Sequence, residues 1–210
     1  MTKTINLGVL GIDHGHIFDM LDEMLKEGCS CNYFWTQGSP LTLDEFRKKY
    51  PQIKRVDNKS DILNDDTIDM ILISSIPKDR ANLSIDAMKA GKDVMVDKPG
   101  CTTLEQLNNL KQTVKETGKI WSINFSERFH VAAVTKAEEL VAEGKIGKIK
   151  QTIGTGPHRQ GNYERPDWFY DRDSYGGIIT DIGSHQIHQF LVFTNSNKAK
   201  VNHALSLIHI

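Results

Sequence analysis

The sequence predicts an α/β protein built on a doubly wound parallel sheet, and three observations carry that prediction. Short apolar runs recur from Ile5 to Ile123, segments of helical periodicity follow them, and several of those segments close on a glycine. Strands alternating with helices of about 10 to 15 residues imply right-handed crossovers and a parallel sheet covered on both faces. The first domain is expected over about residues 1–125.

The elements follow in order. Ile5 to Leu10 is a short apolar strand ending at Gly11, and Ile17, Met20, Leu21, Met24 and Leu25 keep helical spacing up to Gly28. Tyr33-Phe34-Trp35 is a second strand, followed by the turn Gly38-Ser39-Pro40 and a helix with Thr42 and Glu45 as its capping box, stopping at Pro51. Met70 to Ile73 reads as a buried strand, Lys78 to Ala90 as a helix closed by Gly91, and Val94 to Val96 as the next strand. Thr102 with Glu105 is expected to cap a helix carrying Leu104, Leu107, Leu110 and Val114 up to Gly118, and Ile120 to Ile123 is one more strand.

After Phe125 the pattern changes, which marks a second domain over residues 126–210. It reads as a helix from about Ala132 to Glu143, a strand from Ile149 to Ile153, a polar and aromatic loop to Tyr175, and a helix from Ile178 to Phe193. Val201, His203, Leu205 and Leu207 then alternate like a strand of a half-buried sheet. One or two strands make no stable sheet face, so the domain is expected to be partial and poorly soluble in isolation. A foreign tail over Leu205 to Ile210 is the lesser alternative.

Composition excludes several classes of function. The 210 residues carry 26 basic and 27 acidic side chains for a formal charge of -1, with no basic stretch to track a phosphate backbone, so nucleic acid is not an expected partner. No apolar run approaches the roughly 20 residues of a membrane span, and the N-terminus enters a strand pattern directly, so no membrane partner and a cytoplasmic location are expected. Cys29, Cys31 and Cys101 form neither a disulfide framework nor a zinc spacing and are expected to be reduced thiols.

Ligands of open α/β sheets sit beyond the carboxyl ends of the strands, where Gly11, Ser74, Ser75, Asp97 and Lys98 all fall. A strand, a glycine and a helix N-terminus make an anion site, and Gly11-Ile12-Asp13-His14-Gly15-His16 occupies that turn. Against the dinucleotide fingerprint G-x-G-x-x-G it keeps the first glycine, while Asp13 takes the second position and His16 the third. Asp13 brings bulk and a like charge to the place of a diphosphate, a repulsion of roughly 4 kcal/mol at about 4 Å in a semi-exposed site. Protonated His14 or His16 would offset it. The second strand ends in Thr36-Gln37, with no acidic residue for the ribose hydroxyls, so NAD and NADP are not distinguished.

On a helix, Asp181, His185 and His188 fall at i, i+4 and i+7 and share one face. Metal ligation and a polar packing face both fit that spacing, but without an H-E-x-x-H pattern no metal is expected. A lysine, a carboxylate and an imidazole are the parts needed to take a proton from an alcohol and steady the resulting charge, which singles out Lys98, Asp181 and His185. His158, Arg159, Tyr163, Arg165, Trp168, Tyr170 and Arg172 crowd the preceding loop, where aromatic faces and guanidinium forks suit a sugar ring and equally a surface or subunit contact.

The order of the Gly11 turn, Asp97-Lys98-Pro99, Asn124 to His130, and Gly176-Gly177-Ile178-Ile179-Thr180-Asp181-Ile182-Gly183-Ser184-His185 closely resembles the Gfo/Idh/MocA oxidoreductases. The resemblance runs from about residue 4 to residue 200. It implies a Rossmann domain followed by an α/β domain with an open, mainly antiparallel sheet, NAD or NADP as cofactor, a sugar, a cyclitol or a derivative as substrate, and a homo-oligomeric full-length form. Lys98 matches the lysine of the family's E-K-P motif, with Asp97 in place of the usual glutamate, and Asp181 and His185 match its D-x-G-x-H pair. The roles implied are proton transfer by His185, a hydrogen bond from Lys98 to the same substrate oxygen, and orientation by Asp181. Cofactor contacts are expected from Gly11, Asp13, His14, Gly15, His16, Ser74, Ser75, Asp97 and Lys98, and substrate contacts from Trp168, Arg165 and His188. A sugar-binding or regulatory protein without dinucleotide turnover, or an enzyme that retains NAD for lyase or glycosidase chemistry, remains as the alternative.

Overall fold

The computed structural model of the chain describes residues 4–156 and 164–205. His158, Arg159, Tyr163 and Leu207, singled out above, lie outside these residues. The chain divides into two compact units, Met1–Asn124 with Glu164–Gly176, and Phe125–Tyr163 with Gly177–Ile210.

The first unit alternates strand and helix as the apolar runs require: β1 (Asn6–Leu10), α1 (His16–Lys26), β2 (Ser30–Trp35), α2 (Leu43–Lys49), β3 (Lys54–Arg55), α3 (Lys59–Leu63), β4 (Met70–Ile73), α4 (Pro77–Lys89), β5 (Asp93–Asp97), α5 (Leu104–Thr117) and β6 (Trp121–Asn124). All strands are parallel in the order β3-β2-β1-β4-β5-β6, so the sheet reverses its winding between β1 and β4. At such a reversal the connections leave in opposite directions and open a crevice at the carboxyl ends.

Both faces of the sheet are covered. On one, Ile17, Met20 and Leu21 of α1 join Phe34, Phe46 and Tyr50. On the other, Ile62, Ala81, Ala87 and Leu110 of α3, α4 and α5 pack on Ile71, Ile73, Val94 and Val96. The β1 backbone passes so close to α3 that a Cβ on Gly8 would sit 2.5 Å from Ile62 Cγ2.

Several local expectations are corrected. Thr42 does not cap α2 with its side chain: its backbone is already helical (φ -78°, ψ -9°) where a cap is extended, and its hydroxyl donates to the Ile12 carbonyl. The cap of α5 falls one residue later than expected: Thr103 Oγ1 accepts the Gln106 N–H at 3.1 Å, and Gln106 Oε1 accepts the Thr102 N–H at 2.8 Å. The short β3 and α3 were not anticipated, since two and five residues are too few to show a periodicity.

Residues 164–176 form a 3-10 turn (Asp167–Tyr170) and α8 (Arg172–Tyr175), which packs against α4, after α6 (Ser126–Phe129) and α7 (Ala132–Ala142) of the second unit. The expected helix 178–193 is a π-helical turn (Ile179–Gly183) running into α9 (Ser184–Phe193). Arg128 of α6 reaches Glu138 of α7 with both Nε and Nη2, at 3.1 and 2.6 Å. Ile149 to Ile153 and Val201 to Leu205 are not strands in the described residues. A strand exists only through its ladder, and no described backbone pairs with either segment; Ile153 is 82% exposed, and Val201 and Leu205 are each 75% exposed. No helix among the described residues is long and apolar enough to cross a membrane.

Phe46 is fully buried, with its ring centroid 4.8 Å from that of Phe34 and 5.0 Å from that of Tyr50. Phe46→Ala removes the ring at the centre of this cluster and leaves a cavity under α2. The expected loss is about 3 to 5 kcal/mol, read from urea unfolding.

Candidate active site

The carboxyl edge of the sheet is organised around Asp97, the last residue of β5 and completely buried. An unpaired carboxylate there would be prohibitively costly, and Arg80 of α4, itself fully buried, supplies the counter-charge with Nη2 at 2.9 Å from Asp97 Oδ2. The same guanidinium donates from Nε to the Ser75 carbonyl at 2.8 Å, and from Nη1 to the carbonyls of Asp97 at 3.1 Å and Lys98 at 2.5 Å. One side chain thus fixes the ends of β4 and β5 together. Asp97 also takes His16 Nδ1 at 2.8 Å and the Ser74 hydroxyl at 3.3 Å, with His14 Nδ1 3.3 Å away. Burial opposes the Asp97 charge, but Arg80 and the two histidines prevail and hold its carboxyl well below the usual carboxylate range.

His14, His16 and Asp97 are the one group among the described residues whose atoms lie close enough to hold a metal ion, within 4.8 Å of one another. The guanidinium on Asp97 places a fixed positive charge beside any cation, so the group is read as a hydrogen-bonded cluster. The expectation that a protonated His14 offsets Asp13 is corrected, because burial lowers the His14 pKa despite Asp97 and favours the neutral ring.

Gly11 follows β1 with φ +80°, and a Cβ there would lie 2.4 Å from Ser75 Cβ. Two requirements, the left-handed backbone and the close approach to β4, therefore demand glycine at this position. Beside it opens a cleft of about 540 Å³, lined among others by Gly11, Asp13, Trp35, Gln37, Lys59 and Ser75. This is the crevice of the winding reversal, and the amino end of α1 adjoins it. A glycine that leaves room for close backbone approach and a helix N-terminus at such a crevice fit a dinucleotide. Asp13 is the discordant residue. Burial pushes its carboxyl up to about 6, with the negative charge of Asp79 adding to the rise, while Arg80 and the backbone N–H groups of Asp13 and Ile76 oppose it.

Lys98 is 5% exposed at the end of β5, and its peptide to Pro99 is cis. Gly11, Asp13, His14, Gly15, His16, Ser74, Ser75, Asp97 and Lys98 are all brought to this edge of the first unit. Trp168 and Arg165 also belong to this unit. The Trp168 ring lies 6.3 Å from His14, the Arg165 guanidinium covers the Phe169 ring at 4.2 Å, and both line a smaller cavity with Asp13 and Leu41.

Asp181 and His185 belong to the second unit and are buried, with 7% and 4% exposure. Asp181 sits in the π turn, where its N–H donates to the Gly177 carbonyl at 3.0 Å. His185 and His188 share the Phe125 ring: His188 stacks on it at 4.1 Å and His185 meets it edge-on at 6.1 Å. Burial and Arg128 lower the His188 pKa, against Glu138. Sequence reasoning missed Arg80 altogether. The available signal was an arginine in the first turn of a helix that leaves a strand end, where a positive charge is disfavoured unless an anion lies nearby.

Sheet order, crevice and glycine turn define a dinucleotide-binding α/β protein. A family model described as "Oxidoreductase family, NAD-binding Rossmann fold" matches residues 39–125, and the GFO/IDH/MocA C-terminal domain matches residues 134–208. The chain belongs to the Gfo/Idh/MocA oxidoreductase family. It is 25% identical over 202 residues to scyllo-inositol 2-dehydrogenase (NADP(+)) of Bacillus subtilis, covering 93% of this chain and 53% of that protein. It is 30% identical over 129 residues to D-xylose dehydrogenase of Paenarthrobacter nicotinovorans, covering 59% of this chain and 33% of that protein. The chain therefore spans about half or less of these relatives' length. A crystal structure of a protein from Erwinia carotovora atroseptica superposes with a TM-score of 0.92 at 38% identity, covering 98% of this chain and 62% of that one. The myo-inositol 2-dehydrogenase of Lactobacillus plantarum shares the fold, with a TM-score of 0.72 at 22% identity over 92% of this chain and 57% of that one.

Two consequences follow from the carboxylates. Asp97→Asn leaves the Arg80 guanidinium buried without its counter-charge and is expected to cost about 3 to 5 kcal/mol at neutral pH by urea unfolding. Because the folded Asp97 pKa is depressed, its contribution is present above the unfolded value of 3.8 and is lost as pH falls through the lower folded value. Asp13 has the opposite sign: its folded pKa is raised, so the native state loses stability as pH climbs from 3.8 to about 6. Asp13→Asn should therefore raise Tm at pH 8 by the equivalent of at most about 3 kcal/mol and have little effect at pH 4. An equal rise at both pH values would exclude charge as the cause.

Proposed function

We propose that the whole protein is an NAD(P)-dependent oxidoreductase that transfers hydride between a nicotinamide and a hydroxyl-bearing carbon of a sugar, a cyclitol or a derivative. The observation that carries this reading is the match of both family domains in one chain, with Lys98 buried at the ligand edge of the first. The relatives named above, which act on scyllo-inositol and D-xylose, support the substrate class.

In the proposed reaction His185 takes the proton of the substrate hydroxyl as hydride leaves the carbon. The bound dinucleotide supplies the hydride acceptor at the nicotinamide C4. Lys98 donates a hydrogen bond to the same oxygen and steadies its developing charge, and Asp181 orients Lys98 or the substrate. Gly11, Gly15, Ser74 and Ser75 border the dinucleotide, with His14, His16 and Asp97 around them. Trp168 and Arg165 are proposed to wall the substrate space, with His188 as a further contact. Residues 1–125 carry the cofactor and residues 126–210 belong to a substrate and oligomerisation domain with an open, mainly antiparallel sheet, in a cytoplasmic homo-oligomer.

A second reading keeps sugar binding without dinucleotide turnover, and the half-buried Asp13 carboxyl in the glycine turn favours it. NADH fluorescence titration separates the two readings. In the full-length protein, Lys98→Ala and His185→Ala should each lower kcat by about 10²- to 10⁴-fold while NADH still binds. Unchanged turnover in Lys98→Ala would overturn the assignment.

A further inference from the structure

The second strand of a dinucleotide-binding sheet normally ends in an acidic residue that accepts hydrogen bonds from the adenosine ribose, and this acid also repels a 2′-phosphate. Here β2 ends at Trp35, and the following residues are Thr36 and Gln37, neither of them charged. The Thr36 hydroxyl is buried and has no hydrogen-bond partner among the described residues. A positive charge stands beside this loop. Arg55, at the end of β3 and paired in register with Phe34, donates from Nη2 to the Thr36 carbonyl at 2.9 Å and to the Gly38 carbonyl at 2.8 Å. Its Nε and Nη1 donate to nothing among the described residues, and no described carboxylate pairs with it. Lys59, on the cleft lining with Trp35 and Gln37, adds a second cation, although Asp86 holds it at 2.6 Å.

We propose that this cleft prefers NADP(H) over NAD(H), with the Arg55 guanidinium binding the 2′-phosphate at the carboxyl end of β2. The inference rests on the dinucleotide reading above and goes beyond it by naming the cofactor. Two donor nitrogens not engaged by the described residues, on a guanidinium already anchored by its third, suit bidentate phosphate recognition, with little side-chain freedom left to lose. An acid at position 36 or 37 would make the same place suit an unmodified ribose; its absence removes the usual hydrogen-bond acceptor and the repulsion together.

The test is fluorescence titration of the chain with NADPH and with NADH, alongside thermal shifts with adenosine 2′,5′-bisphosphate and with AMP. NADPH should bind about tenfold or more tightly than NADH, and the bisphosphate should raise Tm more than AMP does. Arg55→Ala should weaken NADPH while sparing NADH, and Gln37→Asp should reverse the preference. Equal or tighter binding of NADH would overturn the proposal while leaving the dinucleotide reading intact. Binding of neither nucleotide would overturn both. Equal losses for the two nucleotides in Arg55→Ala, with a lowered Tm, would make Arg55 a loop anchor only and remove it as a phosphate ligand.

Discussion

The Arg80–Asp97 pair is the contact on which the ligand edge of this sheet depends. Neither side chain has appreciable contact with water, so neither charge is tolerable without the other. The pair is not thereby a net source of stability, since two well-packed apolar residues would hold the helix to the sheet at least as firmly. What it provides is direction. A guanidinium has donors in a fixed fork, and these donors reach Asp97 Oδ2 and the carbonyls of Ser75, Asp97 and Lys98. The peptide that presents Lys98 is therefore held by hydrogen bonds rather than by side-chain packing alone.

The same carboxylate extends its influence to the first turn of the fold. With Arg80 on one oxygen, the other remains to accept from His16 at the start of α1. The β5 edge and the glycine turn are thus joined by a single buried anion, and Ser74 of the β4 end completes the circle. This explains how a turn that lacks the second and third glycines of the dinucleotide fingerprint keeps its shape. The contact of His16 with Asp97 fixes the residue that stands in place of the third glycine, with His14 beside it, while Gly11 keeps the backbone freedom that its contact with Ser75 demands.

Much of the first unit was legible because its signals are local. Buried parallel strands such as Met70–Ile73 are nearly continuous apolar runs, and glycines such as Gly91 and Gly118 end helices through backbone conformations that other residues avoid. What was not legible depends on partners distant in sequence. Thr42 looks like a cap until its backbone takes up helical angles and its hydroxyl turns to the Ile12 carbonyl, and the choice of Thr103 over Thr102 turns on which hydroxyl the Gln106 N–H reaches. Arg80 reads as one more polar residue of α4, because its place in the first turn implies a nearby anion without naming Asp97, seventeen residues on, as the one that supplies it. The π turn at Ile179–Gly183 winds Asp181 differently from His185 and His188 of α9, and no residue type announces it.

Asp13 and Asp97 show how one cation divides its effect between two acids. Both carboxylates lose solvation by burial, and Arg80 lowers the pKa of both. Contact decides the outcome. Asp97, at 2.9 Å and with two imidazoles in support, is held well below the usual carboxylate range, whereas Asp13 has the longer-range field of the same guanidinium and two backbone N–H groups, and is further opposed by Asp79. Since Coulomb attraction falls with distance while desolvation does not, a single buried arginine cannot hold the buried Asp97 and the half-buried Asp13 equally. The acid it holds less well is the one beside the cleft. Asp13 therefore changes charge near pH 6, just where a diphosphate would sense it, while Asp97 keeps its charge and the scaffold around it unchanged.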